Sequence, residues 1–221
     1  MQQYKFTLKT KSMLLTGSGE GATLIHADVV FHKSGFPFIP ARRIKGMLSE
    51  SLEEVMEILG HTETKIEETK QSLFGKPGEK SVEGKLIVSN LYVPNWLAIK
   101  KELATKFHGK KAFQPESIRK YYTSEIQQTA INADTEIAKK GSLRNYRVIN
   151  PGICFEGVIK LRDGWEENEE DLFKKAVNHF RYCGTRRNRG FGKVKCFLGS
   201  PVNWNINQPT NTTNLMPEAV L

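Results

Sequence analysis

The run Cys183-Gly184-Thr185-Arg186-Arg187-Asn188-Arg189-Gly190-Phe191-Gly192-Lys193 interleaves glycine with arginine. Between Arg181 and Lys195 there are six basic residues and no acidic one. Glycine lets a backbone approach a ligand closely and turn through positive φ. Exposed N–H groups in such a loop cradle phosphate, and guanidinium groups add planar donors that match phosphate oxygens. Phe191 adds a ring on which a base could stack. Two readings are open: a tight solvated turn, or contact with RNA or another phosphate through Arg186, Arg187, Arg189, Gly190, Phe191, Gly192 and Lys193. The interleaving favours the second.

A second basic group follows the extended segment Phe36-Pro37-Phe38-Ile39-Pro40. There Arg42, Arg43 and Lys45 open a helix. Helix N-termini bind anions, and basic side chains in a first turn oppose the dipole preference. Anion contact therefore accounts for them better than a merely solvated turn. His61, His108 and His179 have no metal-ligand spacing, so a zinc site is not expected. Tyr121, Tyr122 and Tyr146 bracket a polar stretch and could either stack on bases or pack at its foot.

The elements that must hold these residues follow from periodicity. Residues 3–11 alternate as a strand with Tyr4, Phe6 and Leu8 on one face. Residues 24–31 form a second apolar stretch. In 42–59 Ile44, Met47, Leu48, Leu52, Val55, Met56 and Leu59 recur at helical spacing, and Gly60 ends the helix. Residues 62–80 read as a polar surface insertion, 85–93 as a strand and 119–150 as a protruding loop or hairpin. Residues 153–161 form a strand. A helix over 167–182 starts with the acidic turn that its dipole favours, and the last strand covers 190–198. This order predicts an α+β fold with a ferredoxin-like (RRM-like) βαββαβ core, a helical insertion and a thumb-like hairpin. A single domain over 1–200 and a polar, disordered tail over 201–221 are expected.

Length and charge bound the function. The 221 residues carry a net charge of +9, with an isoelectric point near 9.4. Basic patches at 33–45, 100–111, 144–147 and the glycine loop are separated along the chain, which suits an extended polyanion better than a small anion. Cys154, Cys183 and Cys196 are odd in number and far apart, as in a reduced compartment. No apolar run approaches about 18 residues and no signal peptide is evident, so a cytoplasmic location without a membrane partner is expected.

Several motifs resemble the RAMP superfamily of CRISPR–Cas proteins. Gly35-Phe36-Pro37-Phe38-Ile39-Pro40-Ala41-Arg42-Arg43-Ile44-Lys45-Gly46 is similar to its G-x-P-[YF]-I-P segment. Leu73-Phe74-Gly75, then Gly84-Lys85-Leu86-Ile87-Val88-Ser89-Asn90, resembles the next motif, and 187–194 its glycine-rich loop. Residues 132–157 resemble the thumb and return strand of backbone subunits of type III effector complexes. The resemblance runs from about residue 17 to 197. It implies a subunit that holds the sugar-phosphate backbone of a CRISPR RNA, with a thumb against the guide–target duplex. Other RAMP subunits and the large signature subunit would be its partners.

The resemblance also implies candidate chemistry. Catalytic backbone subunits carry an aspartate shortly before the G-x-P segment, and Asp28 matches it. Asp28 would help cleave target RNA, by positioning Mg²⁺ or another divalent cation or by activating the 2′-hydroxyl. The alternative for Asp28 is a solvated or capping carboxylate. His26 and His32 flank it and would serve a stand-alone, metal-independent enzyme that processes CRISPR repeats; a structural role for them is the simpler reading. The segment 39–46 departs from the small-residue version in many catalytic subunits, which points to a paralogous branch and keeps a non-catalytic structural role open. No organic cofactor is implied.

Overall fold

A computed structural model of the chain describes residues 1–17, 28–76, 82–106, 114–131, 137, 139 and 141–203. His26, residues 24–27 of the stretch 24–31 and the tail beyond 203 lie outside the described residues.

The first strand, β1 (Gln2–Thr10), buries Tyr4, Phe6, Leu8 and Thr10 on one face, as its alternation requires. β2 (Phe38–Ile39) leads into α1 (Ala41–Ile58). Pro40 supplies the extended N-cap with φ −61°, and the Asn90 side chain accepts a 2.8 Å hydrogen bond from the Ala41 N–H. Ile44, Leu48, Leu52, Val55 and Met56 form its buried stripe. The predicted end at Gly60 is a Schellman motif: Gly60 N–H donates to Glu57 and His61 N–H to Met56. Leu59 lies beyond the stripe and is exposed.

Residues 62–80 depart from a simple polar insertion. Thr62 caps α2 (Glu63–Phe74), which buries Ile66, Leu73 and Phe74 and packs against α1. β3 (Gly75–Lys76) and β4 (Val82–Glu83) form a short ribbon, and the predicted strand over 85–93 is split into β5 (Leu86–Val88) and β6 (Leu91–Tyr92). α3 (Trp96–Lys106) and α4 (Pro115–Tyr122) follow. β7 (Thr123–Gln128) and β8 (Arg144–Ile149) pair as a separate antiparallel hairpin, the thumb-like element.

β9 (Cys154–Leu161), α5 (Glu169–His179) and β10 (Val194–Asn203) complete the core. The sheet runs β10-β1-β9-β6-β2, with β5 also on β9, and every pair is antiparallel. Counting β5 and β6 as one interrupted strand, this is the 4-1-3-2 order of a ferredoxin-like βαββαβ fold. α1 and α5 pack together, and the buried Ser51 hydroxyl donates to the Ala176 carbonyl at 2.8 Å. β10 continues to Asn203, so residues 201–203, expected in the tail, pair with β1. Pro201 is tolerated there because β10 is an edge strand.

Cys183 and Cys196 are buried, whereas Cys154 is only half-buried. Burial pushes the Cys183 thiol up to about 12 and raises the Cys196 thiol as well. Thiolate is the nucleophile, so an alkylating reagent should modify Cys154 first in the native protein. Cys183 and Cys196 should react only after unfolding, as peptide mass mapping with and without denaturant will show.

Candidate functional site

The chain leaving β1 forms a junction between the glycine loop and the hairpin. On one side, Lys11 N–H and Ser12 N–H both donate to the Lys193 carbonyl. Gly192 N–H donates to Met13 O at 2.8 Å, and Thr185 N–H to Leu15 O at 3.0 Å. On the other side, Leu14 and Ile149 exchange hydrogen bonds of 3.0 and 2.9 Å. The loop closes on itself where Cys183 N–H donates to the Gly192 carbonyl at 2.8 Å.

This closure explains two of the glycines. A Cβ on Gly184 would lie 2.4 Å from the Leu15 carbonyl oxygen, and one on Gly192 would lie 2.1 Å from that of Cys183. Both also have positive φ, +85° and +77°. The base of the loop is therefore immovable backbone, and only its tip projects. Arg186 takes the left-handed conformation at φ 60°, and a single 3-10 turn (Arg187–Arg189) leads to Gly190, which faces open space.

The arginines of this tip are not equivalent. The Arg186 guanidinium lies over the Tyr146 ring, 4.3 Å from its centroid, and donates to the Tyr146 hydroxyl and to Gln128. It ties the loop to the hairpin. Arg187 is exposed and pairs with Glu50 of α1 at 3.2 Å. A surface pair of this kind contributes little, ~0–1 kcal/mol, so Arg187 can exchange Glu50 for a phosphate. Arg189 and Lys193 are exposed, and neither forms a side-chain ion pair among the described residues.

Phe191 corrects the sequence expectation. Its ring is 7% exposed and packs with Leu15, Tyr146 and Val148 in a small second core. It is not presented for stacking on a base; it fastens the loop to the hairpin. Tyr146 is buried in the same cluster, Tyr122 packs against Phe36, and Tyr121 alone of the three tyrosines is exposed.

The first turn of α1 joins the loop through Arg43. Arg43 donates to Gly17 O at 3.0 Å, and its charge and that of Arg187 both act on the Cys183 thiol between them. Arg42 is exposed beside it. Lys45 is one turn on from Arg42, about 60° from it around the helix and about 200° from Arg43; burial and the charge of Arg162 lower its pKa against the opposing effect of Glu83.

Asp28 lies across the hairpin from the loop. Arg147 follows Tyr146 on β8 and so points to the opposite face. Its guanidinium donates to Asp28 at 3.2 Å and to Glu125, the residue directly across the hairpin, at 2.8 Å; Glu116 is 3.7 Å away. Burial works against the Arg147 charge, but the hydrogen bond to Glu125 and the three carboxylates outweigh it and raise the Arg147 pKa. The other Asp28 oxygen accepts the Val29 N–H at 2.7 Å. His32 bonds Ser34 and packs against Trp96 at a tilt of 56°, with ring centroids 4.6 Å apart.

Among the described residues no three His, Cys, Asp or Glu side chains converge as a metal site. The Asp28 carboxylate is already balanced by a guanidinium, with which a cation would compete. The role of Arg147 as a shared counter-ion was missed in the sequence; the direct pairing of positions 125 and 147 is visible only once the hairpin register is known.

A family model of the RAMP superfamily matches residues 7–195. No curated relative matches the chain by sequence. Among solved structures, it is similar to a chain of the type III-B Cmr-beta complex in its apo state, with TM-score 0.63 and 12% identity over 89% of this chain and 96% of that one. The same complex bound to cognate target RNA gives TM-score 0.62 at 11% identity, again over 89% and 96%. A chain of a type IV-B CRISPR complex gives TM-score 0.60 at 14% identity, over 96% and 97%. At these identities the likeness is one of fold.

The buried position of Phe191 makes a definite forecast. Phe191→Ala should destabilise the protein by about 3 kcal/mol, the usual scale for emptying a buried aromatic site, and loosen the hairpin with it. Denaturant unfolding checks this; an unchanged midpoint would mean that the ring is not a packing residue.

Proposed function

The chain belongs to the RAMP superfamily, and from that premise we propose that it is an RNA-binding subunit of a CRISPR effector complex of type III. It would hold the sugar-phosphate backbone of the guide RNA beside other RAMP subunits and the large signature subunit. One observation carries this reading: an arginine-bearing tip is mounted on a backbone-locked base, next to the basic first turn of α1. A rigid base presents Arg187 and Arg189 at little ordering cost, which favours binding. Arg42 and Arg43 extend the positive surface, and phosphate contacts of this kind are independent of sequence, as a guide-holding subunit requires. The fold neighbours in type III-B and type IV-B complexes support a place in such an assembly.

Target cleavage is the finer part of the proposal. It would use the Asp28 carboxylate as the base that takes the proton of a ribose 2′-hydroxyl, whose oxygen then attacks the adjacent phosphorus as the 5′-oxygen leaves and is protonated by water. The 20% exposure of the Asp28 side chain leaves it an open side.

RNA co-purified with the chain and its native partners should carry discrete repeat-derived ends; random RNA or none would overturn the guide-binding role. Arg187→Glu with Arg189→Glu should cut affinity at least tenfold. It should also lower the salt slope by roughly 1.4, at about 0.7 per single-strand phosphate contact. Unchanged anisotropy titrations would rule the loop out.

Asp28→Ala should stop target cleavage and spare RNA binding, with melting followed in parallel because Arg147 loses a partner. Persistent cleavage places the chemistry elsewhere. Cleavage that survives EDTA runs without a metal ion, and cleavage that stops requires one.

A further inference from the structure

The helices cover one face of the main sheet. The residues of the other face are exposed or half-buried among those described. On that face Lys9 stands directly across from Lys195 in the β1–β10 register. Both are exposed, and they flank buried neighbours that point to the core. The pairing continues one step further, where Lys11 N–H donates to the Lys193 carbonyl at 2.7 Å. Alternation therefore puts Lys195 and Phe197 on one side of β10 and Lys9 on the same side of β1, with the exposed Lys193 and Lys11 just beyond the strand ends.

Like charges directly opposite on paired strands are destabilising. Among the described residues none of these four lysines has a carboxylate partner; on this face Glu156 pairs with Lys5 at 2.8 Å. Phe197 is 47% exposed, and the Lys195 ammonium lies 5.0 Å from its ring centroid. The ladder begins where the glycine loop ends, since Lys193 follows Gly192 directly.

We infer that this open sheet face is a second binding surface for single-stranded RNA: the Lys9, Lys11, Lys193 and Lys195 ladder follows the phosphates, and a base stacks on Phe197. Three observations favour this occupant over an acidic protein. The charges form two adjacent cross-strand pairs, Lys9 with Lys195 and Lys11 with Lys193, a patch that successive phosphates can neutralise. The exposed ring lies at the end of that patch beside Lys195, where a base can reach it. Among the described side chains, Ile87 on distant β5 is the other large apolar one exposed on this face, too little for the apolar centre of a protein interface. A bound polyanion would also relieve the lysine–lysine repulsion.

The surface is separate from the loop tip, so the two can be tested apart. The probe is a fluorescently labelled single-stranded oligouridylate of about 20 nucleotides, long enough to pass beyond one site, titrated against the full chain by anisotropy over a range of salt. Lys9→Ala with Lys195→Ala should weaken binding about tenfold and lower the salt slope by roughly 1.4. Phe197→Ala should weaken it several-fold with the slope unchanged. Lys9→Glu converts the pair to opposite charges, so it should raise the melting temperature by about 2 °C while affinity falls. A merely structural residue would not give that opposite movement.

Unchanged affinity in both Lys9→Ala/Lys195→Ala and Phe197→Ala overturns the inference. So does intact RNA binding combined with lost assembly with a partner subunit, which would assign the face to a protein. If the arginine reversal in the loop has no effect while the lysine and phenylalanine variants do, the guide-binding role of the loop falls and this surface stands. The reverse pattern removes this surface and keeps the loop.

Discussion

Five residues after β1 hold the glycine loop and the hairpin together. From Lys11 to Leu15 the backbone bonds the glycine loop on one side and the end of β8 on the other. Backbone hydrogen bonds of this kind leave no slack, because a buried amide without a partner is costly. The absence of side chains at Gly184 and Gly192 is what allows the three segments to approach so closely. Leu15, Tyr146, Val148 and Phe191 then fill the space between them as a core of their own, apart from the core under the helices. Loop and hairpin are thus one mechanical unit.

That unit sorts the basic residues by what they can still do. Arg147 is surrounded by carboxylates, and Arg186 is held by an aromatic ring and its hydroxyl. Each organises protein. Arg187 has one exchangeable surface partner, and Arg189 projects from the turn. Arg42 and Arg43 stand where the helix dipole would favour acids, as expected of residues kept for an anion. A positive total charge says little about where an anion goes; the distinction between committed and uncommitted guanidinium groups says much more.

The acidic run near 166–171 plays the structural part its composition suggests, and adds a tertiary link. Glu169 is buried, accepts from the Ser72 hydroxyl at 2.8 Å, and pairs with Lys85 at 3.2 Å. Burial works against the Lys85 charge, yet the hydrogen bonds and charges of Glu166 and Glu169 hold its pKa above the ordinary value. One carboxylate thereby joins the start of α5 to α2 and to the chain entering β5. This explains why 62–80, polar in composition, nonetheless contains a packed helix: Ile66, Leu73 and Phe74 meet α1 while the other face of α2 stays in water. Three apolar residues in such a stretch are too few to announce a core helix, so the sequence pattern understated it.

Local rules were enough for much of this protein. The alternation of β1, the helical stripe of α1 with its glycine stop, the acidic start of α5 and the order of elements all follow from short-range periodicity. They lead to the ferredoxin-like core. The glycine and arginine loop was legible for the same reason, since its chemistry lies in consecutive residues. Tertiary structure alone decided what each member of that loop does. Phe191 looked like a stacking platform because its immediate neighbours are polar, and became a core residue because Leu15, Tyr146 and Val148 arrive from distant segments. Helix geometry keeps Lys45 beside Arg42, about 60° away, and separates both from Arg43 to different degrees. Asp28 acquired its counter-ion from a strand more than a hundred residues away. Sequence spacing carries backbone periodicity; burial and charge pairing depend on which segments meet, and that is settled only when the sheet register and the hairpin junction are formed.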